Sequence, residues 1–140
     1  MAPLPELDVE SLVISWWKAD AAVTALVDES MISGALRREL GPDDSALRVR
    51  RIGGLPTDAE VTHLGRYRLQ VDAFAPTELE AFALAVAADV SIRSLESTSG
   101  DGIVVTSARK DLALTNSEDP DSDLARYLFG VVLYAHAAAT

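Results

Sequence analysis

The chain has 140 residues, of which 49% are hydrophobic and 24% charged, and it contains no cysteine. That length fits one domain with its own core. The missing thiols exclude a disulfide scaffold, a cysteine nucleophile and cysteine-ligated zinc or iron–sulfur sites. Twenty-two acids against twelve bases give a formal charge of −10, which argues against non-specific binding to nucleic acid or an anionic membrane, because clustered Lys and Arg drive both.

Residues 1–7 carry Pro3 and Pro5 and read as an N-terminal arm, without the basic and apolar segments of a secretion signal. No run approaches the roughly 18 apolar residues of a membrane span. Asp8 is placed to cap a helix in which Val9, Leu12, Val13, Trp16 and Trp17 recur at helical spacing, and Asp20 to cap a second stretch with Val23, Leu26 and Val27 inward. Met31–Leu40 is ambiguous between an extended segment and the end of the helical region. After the turn at Gly41–Ser45, the alternation of Leu47–Ile52 predicts a strand that ends at Gly53-Gly54. Thr57–Thr62 reads as a polar loop.

His63–Phe74 is the cleanest strand, with Tyr67, Leu69, Val71 and Ala73 on one face and Arg66, Arg68, Gln70 and Asp72 on the other. Pro76 or Thr77 opens a helix to about Leu95, with Glu78 and Glu80 at its positive end and an apolar stripe of Leu79, Phe82, Ala83, Val86 and Val90. Ser97–Gly102 reads as a flexible loop. A third strand runs from Ile103 to about Leu114, Thr115–Asp123 is an acidic loop, and Leu124–Ala135 is a last strand apolar on both faces. The order predicts an α+β fold: a mixed or antiparallel sheet of about four strands, with an N-terminal helical region and one long helix packed on it. The domain is expected over residues 8–136, with 137–140 as a C-terminal tail.

No catalytic signature emerges. His63 and His136 lie apart, without the spacing of a metal motif. Ser107 sits on a strand, away from the sharp turn a nucleophile elbow needs. Gly53-Gly54 and Gly100-Asp101-Gly102 are not followed by the Lys-Ser/Thr of a phosphate loop and read as turns. Asp119-Pro-Asp121-Ser-Asp123 opens like a calcium loop, but Leu124 and Gly130 stand where glycine and glutamate are needed. The expectation is a protein that is not an enzyme and has no cofactor and no metal.

The basic residues are more informative. Arg48 and Arg50 share one strand face, and so do Arg66 and Arg68; if the strands pair, one sheet face carries an arginine patch on an acidic protein. That patch is either a solvated face or a subunit interface in which guanidinium groups meet carboxylates of a neighbouring copy. Nucleic-acid binding is a third reading, but the only interleaved aromatic, Tyr67, points away. Trp16 and Trp17 stand about 100° apart on a helix, so they cannot both sit at the centre of one apolar stripe; either both are core, or one is core and the other is a partner contact. Arg48, Arg50, Arg66, Arg68 and Trp17 are the candidate interface residues.

Arg51-Ile-Gly-Gly54, then Arg68–Ala75, a helix rich in Glu and Ala, Gly102–Thr106 and finally Ala125–His136 together resemble the tail terminator proteins of long-tailed, siphovirus-type phages, most similar to those of actinobacterial phages. The resemblance spans roughly residues 8–136 and rests on the order and spacing of these segments. It implies a small α/β virion protein that forms a homo-oligomeric ring, a hexamer, on the head-proximal end of the tail tube. The implied partners are the tail tube protein and the head–tail connector or neck protein, with DNA passing through the channel without specific binding, and no membrane. The implied place is the virion, reached from the host cytoplasm during assembly. A neck or head-completion ring protein and a small α+β ligand-binding domain remain the alternatives.

Overall fold

The computed structural model of the chain describes residues 7–34, 40–55, 65–117 and 123–138. Two short helices come first, α1 (Val9–Lys18) and α2 (Ala21–Thr24). Asp8 and Asp20 cap them as expected, accepting the backbone N–H of Ser11 at 3.0 Å and of Ala22 at 2.9 Å; such caps contribute about 1 kcal/mol each. A 3₁₀ turn (Glu29–Met31) leads into β1 (Ile32–Ser33). The ambiguous segment is therefore a turn and a short strand as far as it is described, and residues 35–39 lie outside the described residues.

The rest comprises β2 (Ala46–Leu55), β3 (Gly65–Ala75), α3 (Glu78–Arg93), β4 (Thr98–Gly100), β5 (Ile103–Asn116) and β6 (Ala125–Ala137). The sheet order is β1-β2-β3-β6-β5-β4; β1 runs parallel to β2 and every other pairing is antiparallel. The α+β class and mixed sheet match the sequence reading, but the described residues form six strands where about four were expected. The two additional strands, β1 and β4, have two and three residues. Segments that short carry no readable alternation.

Two expected loops belong to the sheet. β2 continues through Gly53, where the register with β3 shifts and φ reaches +154°, a region L side chains rarely adopt; the glycine that was expected to end the strand instead forms a bulge within it. Ser97–Gly102, expected to be flexible, contains β4 and a tight hairpin. Asp101 and Gly102 take φ of 52° and 76° between the paired Gly100 and Ile103, as a two-residue turn requires to match strand twist. The expected loop at Thr57–Thr62, the residue His63 and most of the calcium-like Asp119–Asp123 segment lie outside the described residues.

The helices cover one face of the sheet. Tyr67, Leu69, Val71 and Ala73 of β3 and Phe129, Val131, Leu133 and Ala135 of β6 point toward them and are fully buried. α3 starts after Thr77, whose hydroxyl accepts the Glu80 N–H at 3.2 Å. Its expected apolar stripe is on the wrong side. The buried residues are Ala81, Leu84, Ala85, Ala88 and Ile92, whereas Leu79, Phe82, Val86 and Val90 are exposed. Alanines on the inner side let the helix axis approach the sheet closely, and this rotates the larger side chains outward. Leu26 is likewise exposed, where an inward position was expected.

Candidate assembly surfaces

Trp17 is not an interface residue. It is fully buried, and its indole N–H donates to the Ala88 carbonyl of α3 at 3.2 Å. A core position satisfies both its bulk and its single donor. Trp16 is half-buried beside it and donates to the Ser91 carbonyl at 2.9 Å and to the Ser94 hydroxyl at 3.0 Å. The adjacent tryptophans together fasten α1 to the C-terminal half of α3.

The arginine patch does form. β2 pairs with β3 so that Arg48 lies opposite Asp72 and Arg50 opposite Gln70, which places Arg48, Arg50, Arg66 and Arg68 on the sheet face turned away from the helices. Their electrostatic states differ. Arg48 is committed internally: its Nε and Nη2 donate to Asp72 Oδ2 at 3.1 and 2.7 Å. Arg126 of β6 straddles the other oxygen, with Nε and Nη2 at 3.0 and 2.6 Å from Asp72 Oδ1. Both guanidinium groups also lie over the Phe74 ring, at 6.0 and 5.7 Å from its centre, where the ring quadrupole attracts a cation.

Burial of the Asp72 carboxylate raises its pKa, but the hydrogen bonds from Arg126 and Arg48, together with their charges, outweigh that effect and hold it below the usual value for an aspartate. This cluster is the part of the site that sequence reasoning missed. An aspartate between Val71 and Ala73-Phe74 was visible as an acid in an apolar run, but the second arginine comes from β6, 54 positions away.

Arg68 is paired with Asp111 of β5 at 2.9 Å in a largely exposed bridge. Arg51, next to the patch in sequence, points to the opposite face and stacks on Tyr67, 4.9 Å from the ring centre. Arg50 is exposed, and its side chain makes no ion pair or hydrogen bond among the described residues. Arg66 keeps a buried Nε without a hydrogen-bond partner among the described residues. The four expected interface arginines therefore divide into two that are neutralised within the subunit and two that remain available. The same face carries apolar residues of β6, with Val132 buried and Leu128 and Tyr134 half-buried.

Two open depressions of about 410 and 450 Å³ lie elsewhere, one beside α2 with Asp28, Asp43 and Asp44, the other between α1 and the Asp101–Gly102 turn. Neither lining holds a histidine, lysine or arginine. Among the described residues, no three His, Cys, Asp or Glu side chains are grouped so as to hold a metal ion, and no helix is long and apolar enough to cross a membrane. His136 sits at the end of β6, with Nδ1 2.8 Å from the Ala137 carbonyl.

No family model and no curated protein matches the chain. A solved structure does. The fold resembles that of a chain in the virion of a native gene transfer agent particle, with a TM-score of 0.65 and 14% sequence identity, over 93% of this chain and 94% of that one. At that identity the likeness concerns the fold alone.

Proposed function

We propose that this chain is a non-enzymatic structural subunit of a phage-like virion, specifically a tail terminator. Copies of it close into a ring, six by the resemblance, on the head-proximal end of the tail tube. The ring stops further addition of tube subunits and offers the surface on which the head's connector complex docks. The observation that carries the reading is the end-to-end fold likeness to a chain of a gene transfer agent virion. The ordered resemblance from Arg51 to His136 adds the position within the particle.

The physical chemistry is compatible. A tube end exposes a repeating head-to-tail interface, and a closed ring complementary to that end on one side removes the site of growth. The task needs matching surfaces and no reactive group. A formal charge of −10 suits a ring through which DNA slides without adhering. The protein would reside in the virion at the head-proximal end of the tail, assembled there from the host cytoplasm.

Electron microscopy of particles made without this protein tests the proposal. Over-long tails are expected. Tails of normal length beside unjoined heads would overturn it and assign the chain to the neck ring.

A further inference from the structure

α3 is apolar on two sides. Leu79, Phe82, Val86 and Val90 on its outer side are 78%, 45%, 37% and 59% exposed. At 100° per residue they fall within roughly an 80° arc, and at 1.5 Å per residue they form one stripe about 16 Å long. A helix that is apolar all round is normally covered all round, and a contiguous exposed apolar patch marks an interaction surface. Glu78 and Glu80 flank the stripe at its first turn, both exposed, and the Glu80 carboxylate makes no ion pair among the described residues.

The sheet face turned away from the helices is its complement. Half-buried Leu128 and Tyr134 supply its apolar surface, and Arg50 and Arg66 supply cations without an ion-pair partner among the described residues. The buried Nε of Arg66 is a donor withdrawn from water without an acceptor, which is unfavourable until a carboxylate or carbonyl arrives. One side of the subunit is thus apolar with acids, and the other is apolar with arginines.

We propose that the outer face of α3 docks on the arginine-bearing sheet face of a second copy of this chain. The occupant is a second copy because this chain supplies both halves of the match, and Glu80 is the acid poised to meet Arg50 or Arg66. The two surfaces differ and lie on opposite sides of the sheet–helix sandwich. The contact is therefore heterologous and propagates from copy to copy, where an isologous contact would stop at a dimer. The proposal deepens the ring reading and rests on it for the presence of neighbouring copies.

A chain without cysteine allows a direct test. Val86→Cys places a thiol on the stripe and Gln70→Cys one on the sheet face. With a short bismaleimide, the double variant is expected to give a ladder of covalent oligomers ending at the ring size, and each single variant none, with circular dichroism unchanged. Covalent dimers from Val86→Cys alone would show helix meeting helix and overturn the proposal. Oligomers in light scattering without a ladder would overturn this contact and leave the ring reading standing. A chain monomeric in light scattering at millimolar concentration would overturn both. Val86→Glu, at an exposed position, is expected to weaken assembly by about tenfold or more, and unchanged assembly would overturn the proposal.

Discussion

Replacing Asp72 by asparagine removes the charge from a fully buried group that holds two arginines. The side chain keeps one carbonyl oxygen and gains an NH₂ group, so one guanidinium then faces a donor where it had an acceptor at 2.6 or 2.7 Å. Removing one partner of a buried ion pair costs about 3–5 kcal/mol, a large share of the 5–15 kcal/mol typical of a whole domain. Asp89 supplies the internal control. It too is buried, and it binds Arg93 at 3.0 Å and Lys110 at 2.8 Å, but those cations are 45% and 33% exposed, against 12% and 17% for Arg48 and Arg126. Cations released by Asp89→Asn can turn to water, so about 1 kcal/mol is expected there. Urea unfolding followed by tryptophan fluorescence at neutral pH measures both. Equal losses, or a loss under about 1 kcal/mol for Asp72→Asn, would refute the argument that burial of the cations sets the cost. The triple variant Arg48→Met, Asp72→Leu, Arg126→Met is expected to recover most of the stability, because no charge is then left buried.

The same carboxylate gives the fold a pH dependence. Its pKa is lowered in the folded state, so its stabilisation is complete above the unfolded value of about 3.9 and is lost as pH falls through the lower folded value. The stability gap between the natural chain and Asp72→Asn, read from urea midpoints, should be constant from pH 7 to about 5 and close below about pH 4; a gap that closes between pH 5 and 7 contradicts this. Trp17→Ala should cost about 3–5 kcal/mol through the cavity it leaves, whereas Trp16→Phe, which loses only half-buried hydrogen bonds, should cost about 1 kcal/mol; equal losses would place both residues in the same environment. Arg66→Glu combined with Arg68→Glu should weaken assembly in light scattering while shifting the melting temperature little, because the Arg68 bridge is exposed and worth about 0–1 kcal/mol. A large drop in melting temperature would make these arginines structural.

Much of the sheet was legible because period-two alternation is a local property. Tyr67 to Ala73 stated both that β3 is a strand and which side faces the core, and the shared face of Arg48, Arg50, Arg66 and Arg68 followed once β2 and β3 were paired. Thr77, Glu78 and Glu80 announced the start of α3. The rotation of α3 about its axis was not legible. Leu79, Phe82, Val86 and Val90 make a better apolar stripe by size than Ala81, Ala85 and Ala88, and only the closeness of sheet and helix makes the alanines the inner side. The destination of Arg48 was also hidden, since Asp72 was visible on the same face but Arg126 reaches it through the β3–β6 register. That register depends on how the chain returns from the far edge of the sheet through β4 and β5, which no local pattern encodes.

The sheet edges bear on where copies would meet under the proposed reading. A free edge strand is the usual template for adding another chain. Here β1 covers the start of β2, and further along that strand the Arg51 N–H is already taken by Glu10 Oε1 at 2.8 Å. At the other side β4 covers only Ile103–Val105 of β5. Beyond it β5 breaks register with β6 three times, at Val105/Ser107, Lys110/Leu112 and Leu112/Thr115. The break at Asp111–Leu112 crosses Gly130, where an added Cβ would lie 3.1 Å from that of Leu112, so the irregularity is accommodated by the partner strand. Bulges and a lysine blunt an edge against strand addition. With the edges so occupied or irregular among the described residues, the outer side of α3 and the arginine-bearing face of the sheet are the surfaces the proposed contact uses. Under the proposed reading, copies that meet by side-chain complementarity avoid the open-ended backbone pairing that a free edge strand invites.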